Sequence, residues 1–361
     1  MKYKLGEICK IVSGTTPKTS IAEYWDGDIK WLTPAEIKDD SYTIYDTFRK
    51  ITLLGKEKSG LNLFPKGTVI LSSRAPIGKV AIAGCDMCCN QGFKNLICSK
   101  KVYNKYLYWF LKTKKDYLNS LGRGATFKEI SKQIVSEIII NLPSYNEQGK
   151  IVDKLERLQK IVAIRKQQLL QLDKLIKALF VEIFGDPIEN QKKWDIELLS
   201  NLGTLNRGIS KHRPRNDEVL LGGIYPLIQT GDIANADTYI TEYKNTYSEE
   251  GLKQSKMWSA GTLCITIAAN IAKTAILAFD ACFPDSVVGF EPNNKVTNVY
   301  LHYWFTFIQK ILEEQAPESA QKNINLKILS ELQVIVPPMK LQNQFVDIVR
   351  IIDKHKLLII D

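Results

Sequence analysis

Five basic residues stand close together in the segment RGISKHRPR, at 207–215. They are Arg207, Lys211, His212, Arg213 and Arg215. Gly and Pro break any helix or strand here, so we expect a loop that can follow a phosphate backbone. An Arg guanidinium can also donate two parallel hydrogen bonds to guanine in the major groove. The segment therefore indicates a nucleic-acid contact, and a solvated charged loop is the alternative.

A second polar and basic group lies in the turn SSRAPIGK, which contains Ser73, Arg74 and Lys79. Lys273 stands 194 residues after Lys79, whereas Arg74 faces Ala268 at that distance. A basic group present at both positions suits a phosphate contact that is independent of sequence. A group that differs suits base readout. Arg74 could instead pair with a carboxylate and brace its own turn.

The segment TTPKTS, at 15–20, is polar rather than basic and occupies the point in the first half that RGISKHRPR occupies in the second. Because the two segments differ, we expect them to read different sequences. The predicted DNA contacts are Lys18, Ser73, Arg74, Lys79, Arg207, Lys211, Arg213, Arg215 and Lys273.

These positions correspond because the chain is a tandem repeat of itself. Gly67 returns as Gly261, and the match continues to Asp153 at a constant shift of 194 residues. Upstream, Glu36 corresponds to Asp232 at a shift of 196, which places two extra residues in a loop. A repeat of this length is a duplicated domain rather than a solenoid unit.

Each half is predicted to be a strand-rich, mixed α/β domain of an α+β protein. Short apolar runs alternate with Gly, Pro and Asp in both halves, which is typical of strands. Residues 106–121 have helical spacing instead. The expected domains are 1–143 and 187–337.

A long helix is predicted between the two domains, over 144–186. Its apolar residues alternate at spacings of four and three, the a/d pattern of a coiled coil, and Gly-Asp-Pro at 185–187 ends it. About 38 residues make a rod of roughly 57 Å. A second helix, over 338–361, reaches at most about 22 residues. The residues predicted to form an interface, either between the helices or with another subunit, are Leu155, Leu158, Val162, Leu169, Leu172, Ile176, Leu179, Phe345, Val349 and Ile352.

The two predicted helices differ in length, so an antiparallel pair leaves part of the long one without cover. We expect this uncovered stripe in its C-terminal half, at Leu172 and Ile176. Several exposed Leu and Ile side chains are unfavourable in water. The stripe is therefore expected to be covered by another chain, either a partner subunit or a second copy of this protein.

The formal net charge of +10 favours an acidic partner, either nucleic acid or an anionic membrane surface. A merely lysine-rich protein is the alternative. The N-terminus lacks the apolar stretch of a signal peptide, and the most apolar segment, 261–279, carries Asn270 and Lys273. We therefore expect a cytoplasmic protein with reduced thiols that does not enter a membrane.

Neither a metal site nor an enzyme motif is predicted. Four cysteines cluster at 85–98, but Cys85 and Cys89 correspond to Phe279 and Phe283, so core positions are expected rather than zinc ligands. The sequence contains no phosphate-binding Gly-rich loop, no HExxH and no adenine-methyltransferase motif. Pro284-Asp285 could belong to a nuclease motif, but no nearby Glu-x-Lys completes it. We expect no catalytic residue, no metal and no cofactor.

The chain resembles the specificity (S) subunit of Type I restriction-modification systems over essentially its full length. The duplicated architecture supports the resemblance, together with Leu142-Pro143 before Glu147-Gln148 and the helix exit LFVEIFGDP. The first domain adds a motif, formed by Gly14, Thr16-Pro17, Tyr24-Trp25, Gly27 and Trp31. The second domain lacks this motif, and the distal helix is shorter than usual.

The resemblance implies a non-catalytic subunit whose two target recognition domains each read one half of a split sequence on double-stranded DNA. It implies that the long helices pack antiparallel as a spacer and dock two methyltransferase (M) subunits. S-adenosylmethionine would be bound by M, and restriction (R) subunits would hydrolyse ATP and cleave DNA. Self-association through the helices stays open. The alternatives are a helical adaptor that binds only proteins, and a detached specificity part of a single-chain restriction-methylation enzyme.

Overall fold

The computed structural model describes residues 1–74, 76–124, 128–268, 270–315 and 324–360. The chain divides into two compact units, Met1–Val162 (unit 1) and Ala163–Asp361 (unit 2). The division falls inside the long helix that the sequence predicts between the domains. Within the described ranges, no helix is both long enough and apolar enough to cross a membrane.

The strands of unit 1 are short and mostly apolar. They are β1 Lys2–Lys4, β2 Cys9–Ser13, β3 Trp25–Leu32, β4 Thr43–Ile44, β5 Arg49–Ile51, β6 Val69–Leu71, β7 Val80–Ala83, β8 Cys88–Cys89, β9 Lys94–Cys98 and β10 Ile139–Asn141. They form a five-stranded sheet in the order β2-β9-β6-β7-β4, a three-stranded sheet β5-β3-β8 and a two-stranded ribbon β1-β10.

Unit 2 repeats this plan. Its strands are β11 Asp195–Leu198, β12 Gly203–Arg207, β13 Leu221–Leu227, β14 Tyr239–Ile240, β15 Asn245–Tyr247, β16 Met257–Trp258, β17 Leu263–Thr266, β18 Thr274–Leu277, β19 Ala281–Cys282, β20 Val287–Pro292 and β21 Gln333–Val336. The sheets are β12-β20-β17-β18-β14, β15-β13-β19-β16 and β11-β21. The starts of β6 and β17 differ by the predicted 194 residues.

The helices alternate with these strands. The α-helices are α1 Leu5–Ile8, α2 Leu53–Lys58, α3 Asn104–Lys112, α4 Lys115–Ser120, α5 Lys132–Glu137, α6 Tyr145–Phe184, α7 Thr230–Asn235, α8 Glu249–Lys253, α9 Asn298–Gln315, α10 Leu326–Ser330 and α11 Met339–Ile360. Short 3-10 turns lie at Ala22–Tyr24, Pro34–Glu36, Leu199–Asn201 and Glu218–Leu220. The sequence predicts one helix at 106–121, which the structure divides into α3 and α4.

Strand β6 lies in the middle of its sheet, and this position explains why all three of its residues are apolar. Val69 and Leu71 pack on one side, in a cluster with Leu107 of α3. Ile70 packs on the other side, in a cluster with Phe64 and other apolar side chains. All three strand residues are fully buried. Because side chains alternate along a strand, a strand covered on both faces is apolar at every position.

The cysteines predicted to occupy core positions are largely buried. Cys88 and Cys89 are almost inaccessible, and Cys85 is partly buried against the apolar cluster that contains Cys89. Burial raises the pKa of Cys88 to about 11 and that of Cys89 to about 12, so both thiols stay protonated near neutral pH. In the described part of the chain, no three His, Cys, Asp or Glu residues are placed to hold a metal ion.

Helix α6 contains 40 residues and ends at Phe184, because Gly185 adopts a left-handed φ of +82°. In unit 2 its C-terminal part packs against α11. The rings of Phe180 and Phe345 lie 5.5 Å apart, and the Arg165 guanidinium lies 3.4 Å from the Leu358 carbonyl oxygen. Residue numbers fall along α6 as they rise along α11, so this pair is antiparallel.

The expected position of the uncovered stripe is wrong. Ile176 is fully buried in the core of unit 2, and Leu172 packs against that core. Helix α11 begins directly after β21, which places Phe345 against Phe180 and Phe184. The C-terminal half of α6 is therefore the covered half, and Leu172 and Ile176 need no second chain.

The predicted interface residues differ in how deeply they are buried. Ile176, Phe345, Val349 and Ile352 are buried, whereas Leu172 and Leu179 pack on the unit 2 core with partial exposure. Leu155 and Leu169 are half-buried. Within this chain Leu158 is 58% exposed and Val162 is 52% exposed, so their place in an interface with another subunit stays a prediction.

Lys356 interrupts the apolar seam of α11 for a reason that the sequence does not reveal. Its side chain is 7% exposed and its ammonium lies 2.6 Å from carboxylate oxygens of both Asp173 and Asp237. Asp353 lies 3.4 Å away. Burial opposes the charged form, but these bonds outweigh it and raise the pKa of Lys356. The lysine thus joins α11 to α6 and to the globular part of unit 2.

Candidate nucleic-acid interface

The basic loop of unit 2 folds around one carboxylate, that of Asp285. Arg215 donates a hydrogen bond to this carboxylate, and Arg213 lies 3.4 Å from its other oxygen. Arg207 donates through Nε and a terminal nitrogen to the Asp285 backbone oxygen, at 2.9 and 2.6 Å. Two guanidinium groups thus meet the carboxylate of Asp285 and a third meets its backbone oxygen, so one negative charge faces three positive charges.

The backbone of the same loop is also held by two neighbouring side chains. The Gln254 amide oxygen accepts the backbone N–H groups of Lys211 and His212, at 2.7 and 3.1 Å. The Ser255 hydroxyl donates to the Ile209 carbonyl oxygen at 2.9 Å. Lys211 itself is exposed. Because the loop backbone is fixed, its exposed side chains are presented to solvent in a defined arrangement.

The corresponding loop of unit 1 is fixed by two tryptophans. The Trp31 indole donates to the Thr15 carbonyl oxygen at 3.0 Å, and the Trp25 indole donates to that of Lys18 at 3.2 Å. The two indole rings meet edge to face, with centroids 5.1 Å apart. Leu221 and Leu227 stand at these positions in unit 2 and have no side-chain N–H to donate. The residues of the first-domain motif thus shape this loop, and Lys18 is exposed on it.

A glycine begins both loops because the backbone there approaches another segment closely. A Cβ on Gly14 would lie 2.1 Å from the Cys89 carbonyl oxygen. Gly208 stands 194 residues later, and a Cβ on it would lie 2.3 Å from the Pro284 carbonyl oxygen. No side chain fits at either position, so both loops leave their strands along the same path.

The two loops dock at the same repeat position with different chemistry. Thr16 in unit 1 donates a hydrogen bond to the Gln91 amide oxygen. Asp285, which receives the arginines in unit 2, stands 194 residues after Gln91. An amide therefore anchors a polar loop in one unit, and a carboxylate anchors a cationic loop in the other.

Ser73 cannot serve as the predicted DNA contact. Its side chain is fully buried, and its hydroxyl accepts a hydrogen bond from the Lys94 ammonium at 3.2 Å. Its backbone N–H donates to the Gly92 carbonyl oxygen at 2.7 Å. The residue lies inside the fold because the chain continues past β6 before the turn begins. This prediction is therefore corrected.

Arg74 lies on the surface of this turn beside a carboxylate. Its guanidinium is 3.9 Å from Glu129, at the limit of an ion pair, and its side chain is about one-third exposed. Glu129 has a closer partner in Lys94, at 3.0 Å. Because Lys94 already neutralises Glu129, Arg74 can leave this carboxylate without stranding a buried charge. The sequence alone leaves open that Arg74 pairs with a carboxylate and braces its own turn. The Arg74–Glu129 pair is such a contact, but it is a weak one.

Lys79 and Lys273 share a repeat position but differ in their surroundings. The Lys79 ammonium donates to the Pro34 carbonyl oxygen at 3.1 Å, and the residue is half-buried. Lys273 is exposed. Both follow a turn that a hydroxyl closes, since Ser72 and Thr266 accept their backbone N–H groups at 2.9 and 3.1 Å. The hydroxyl-closed turn is therefore retained in both units, whereas the exposure of the lysine side chain differs between them.

Asp285, Gln91 and Gln254 are the residues of the candidate interface that sequence reasoning misses. Asp285 stands 70 residues after Arg215, and local pattern gives no sign of their contact. The internal repeat supplies a partial signal, because it places a polar residue at both 91 and 285. That signal becomes meaningful only once the loop of each unit is seen to dock there.

Comparison with known proteins places the chain in a family. The family model described as the Type I restriction modification DNA specificity domain matches residues 1–174 and 191–360. The MjaIX Type I restriction enzyme specificity subunit of Methanocaldococcus jannaschii is 32% identical over 272 residues, which cover 70% of this chain and 62% of the relative. The EcoDI specificity subunit of Escherichia coli is 25% identical over 283 residues, covering 68% and 62%. The chain thus spans about three-fifths of the length of these curated relatives.

Solved structures show the same fold. The S subunit of a Type I restriction-modification system from M. genitalium has a TM-score of 0.57 and 16% identity, over 99% of this chain and 90% of that one. A chain from a study of complex assembly and conformational transition of the Type I R-M system gives a TM-score of 0.60 and 18% identity over the same shares. With both halves matched by the family model, the chain belongs to the family of Type I restriction-modification DNA specificity domains.

Proposed function

We propose that this chain is the DNA sequence-recognition subunit of a Type I restriction-modification complex. One observation carries the proposal: equivalent loops dock at Gln91 in unit 1 and at Asp285 in unit 2, and they present different side chains. A shared scaffold with different exposed chemistry suits a bipartite target whose two halves differ in sequence. The domain bounds proposed for this function are 1–143 and 187–337, with spacer helices at 144–186 and 338–361.

The two units would read DNA by different means. In unit 2, Arg213 and Arg215 offer guanidinium groups suited to guanine edges and phosphates, and Lys211 and Lys273 add cations. In unit 1, Lys18 and Arg74 lie on a less charged surface. The net charge of +10 supports an acidic ligand for the whole chain.

Methylation and cleavage would reside on partner subunits. Relatives of this chain are named Type I restriction enzyme specificity subunits. We propose M and R subunits as its protein partners, with the M subunits docked on the helices. In this arrangement the chain supplies sequence recognition and holds no catalytic site of its own.

Titration of the purified chain on duplex DNA at several salt concentrations tests the DNA-binding half of this proposal. If the chain neutralises several phosphates, the logarithm of the affinity falls linearly with the logarithm of salt, by about 0.9 per phosphate. We expect weak binding by the chain alone and tighter, specific binding with its M partner. A protein-only adaptor would give no salt-dependent binding in either case.

A further inference from the structure

Phe48 is the most exposed phenylalanine among the large apolar side chains of the described residues, at 89%. It lies just before β5, between two residues whose side chains are fixed. Thr47 is 8% exposed, accepts the Trp31 backbone N–H at 3.1 Å and donates to the Arg49 carbonyl oxygen at 2.7 Å. The Arg49 guanidinium lies 3.5 Å above the Trp25 ring. The exposed ring is therefore presented by a braced segment.

This ring lies beside the candidate interface of unit 1. The Phe48 backbone N–H donates to one Glu36 carboxylate oxygen at 2.7 Å, and the other oxygen accepts the Thr33 N–H at 2.8 Å. Lys79 donates to the carbonyl oxygen of Pro34, in the same turn. Phe48 and Lys79 are thus attached to a single turn at 33–36. An exposed apolar ring and a lysine side chain are therefore both tied to that turn.

Unit 2 lacks the ring. Strand β15 begins at Asn245 as β5 begins at Arg49, a shift of 196 residues, so Lys244 takes the place of Phe48. The carboxylate of Glu36 has a counterpart in Asp232. Asp232 accepts the Gln229 backbone N–H at 2.9 Å, as Glu36 accepts the Thr33 backbone N–H. The capping carboxylate is common to both units and the aromatic side chain is not.

We propose that Phe48 is a wedge that inserts between stacked bases of the half-site bound by unit 1. Apolar side chains that enter a base step unstack it and kink the duplex, and an aromatic ring replaces part of the lost stacking. This inference rests on the proposed DNA-binding function. It predicts a local deformation in one half-site only, because Lys244 can contact a phosphate but cannot intercalate.

End-to-end fluorescence energy transfer on a duplex that carries the methylated motif of the host tests the wedge. The proteins compared are the full chain and its Phe48→Ala, Phe48→Leu and Lys244→Ala variants, each with the M partner. Phe48→Ala should remove most of the bend and weaken binding roughly tenfold. Its salt dependence should stay unchanged, because no charge is lost. Phe48→Leu should keep most of the bend, and Lys244→Ala should keep all of it.

Two results overturn the wedge while leaving the proposed function intact. One is salt-dependent, motif-specific binding in which Phe48→Ala bends and binds DNA as the wild type does. The other is a wild-type complex with straight DNA. If the wild type shows no salt-dependent binding at all, the proposed function itself fails and the wedge fails with it. Because Phe48 is exposed, its variants should keep the urea unfolding midpoint of the wild type.

Discussion

Arg215 donates a hydrogen bond to the carboxylate of Asp285, 70 residues further along the chain. This pair fixes the cationic loop of unit 2 at the position that Gln91 occupies in unit 1. The loop keeps an excess of positive charge, because Arg207 and Arg213 meet the same residue. Asp285 thus acts as an organiser of guanidinium groups that would otherwise repel one another.

Asp285→Asn should relax the sequence preference of the second half-site. The substitution keeps the shape of the side chain and removes the charge that orients Arg213 and Arg215. Each oriented bidentate contact is worth about 1–3 kcal/mol of discrimination. Affinity for random duplex should rise slightly, because a negative charge near the phosphates is lost. The measurement is the ratio of specific to random-sequence affinity at fixed salt.

The matched control for this variant is Asp280→Asn. Asp280 is another carboxylate of unit 2, and it accepts the Ala260 N–H away from the loop. It should leave both affinities unchanged. An Asp285→Asn protein with wild-type discrimination would show that these arginines do not read bases.

Lys273→Ala should lower the salt dependence of DNA binding more than Lys79→Ala does. The sequence alone predicts equal effects, because the two lysines share a repeat position. In the structure Lys273 is exposed, whereas the Lys79 ammonium is already bonded to the Pro34 carbonyl oxygen. Loss of one phosphate contact reduces the slope of log affinity against log salt concentration by about 0.9. Lys310→Ala is the control, since that side chain is 86% exposed and lies 3.9 Å from its helical neighbour Glu314. Equal slopes for Lys79→Ala and Lys273→Ala would contradict the claim that Lys273 is the more available phosphate contact.

Charges placed on α6 should have opposite consequences in its two halves. Leu172→Lys with Ile176→Lys should unfold unit 2, because Ile176 is fully buried and loss of one such side chain already costs about 2–5 kcal/mol. Leu158→Lys with Val162→Lys should leave the urea midpoint within experimental error, since both side chains are more than half exposed. The measurement is the urea unfolding midpoint of each double variant, compared with that of the wild type. A stable Leu172/Ile176 variant would mean that α11 does not cover this half of α6.

Acid should destabilise unit 2 through His302. Burial lowers the pKa of this imidazole from about 6.5 to about 4, although Thr274 hydrogen-bonds Nδ1 at 3.0 Å. Between these two values the unfolded state binds more protons than the folded state. Stability is therefore complete above pH 6.5 and is lost as the pH falls towards 4, by about 2 kcal/mol at pH 5.

Urea unfolding at pH 7.5 and pH 5 measures this effect in the wild type, in His302→Gln and in His355→Gln. The His302 variant should lose less stability between the two pH values, because its amide does not titrate. His355 is exposed, and its variant should follow the wild type. Identical pH dependence in all three proteins would rule out a proton-linked contribution from His302.

Regular elements were predictable because their signals are local or repeated. Gly185 ends the long helix at Phe184, and the shift of 194 residues fixes the starts of β6 and β17. Contacts made across the sequence were not predictable. Ser73 is polar and adjoins a basic turn, yet Lys94 holds it inside the fold. Lys356 breaks an apolar pattern, and only the approach of Asp173 and Asp237 accounts for it.

The chemistry of the candidate interface was predictable in type and not in geometry. Composition and the segment 207–215 indicate cations for an acidic ligand. Which cations remain available depends on acceptors elsewhere in the chain, such as Pro34 for Lys79 and Asp285 for Arg215. Those acceptors reach their places only when the sheets form.

The central claim is that the two units read two different half-sites of one DNA target, and methylome sequencing tests it most directly. The strains would carry the wild-type gene, its deletion, Arg74→Ala or Arg213→Ala. We predict a split methylated motif that disappears on deletion, with one half relaxed by Arg74→Ala and the other half relaxed by Arg213→Ala. A motif that survives deletion of the gene, or one whose halves both stay unchanged in the two variants, would contradict the claim.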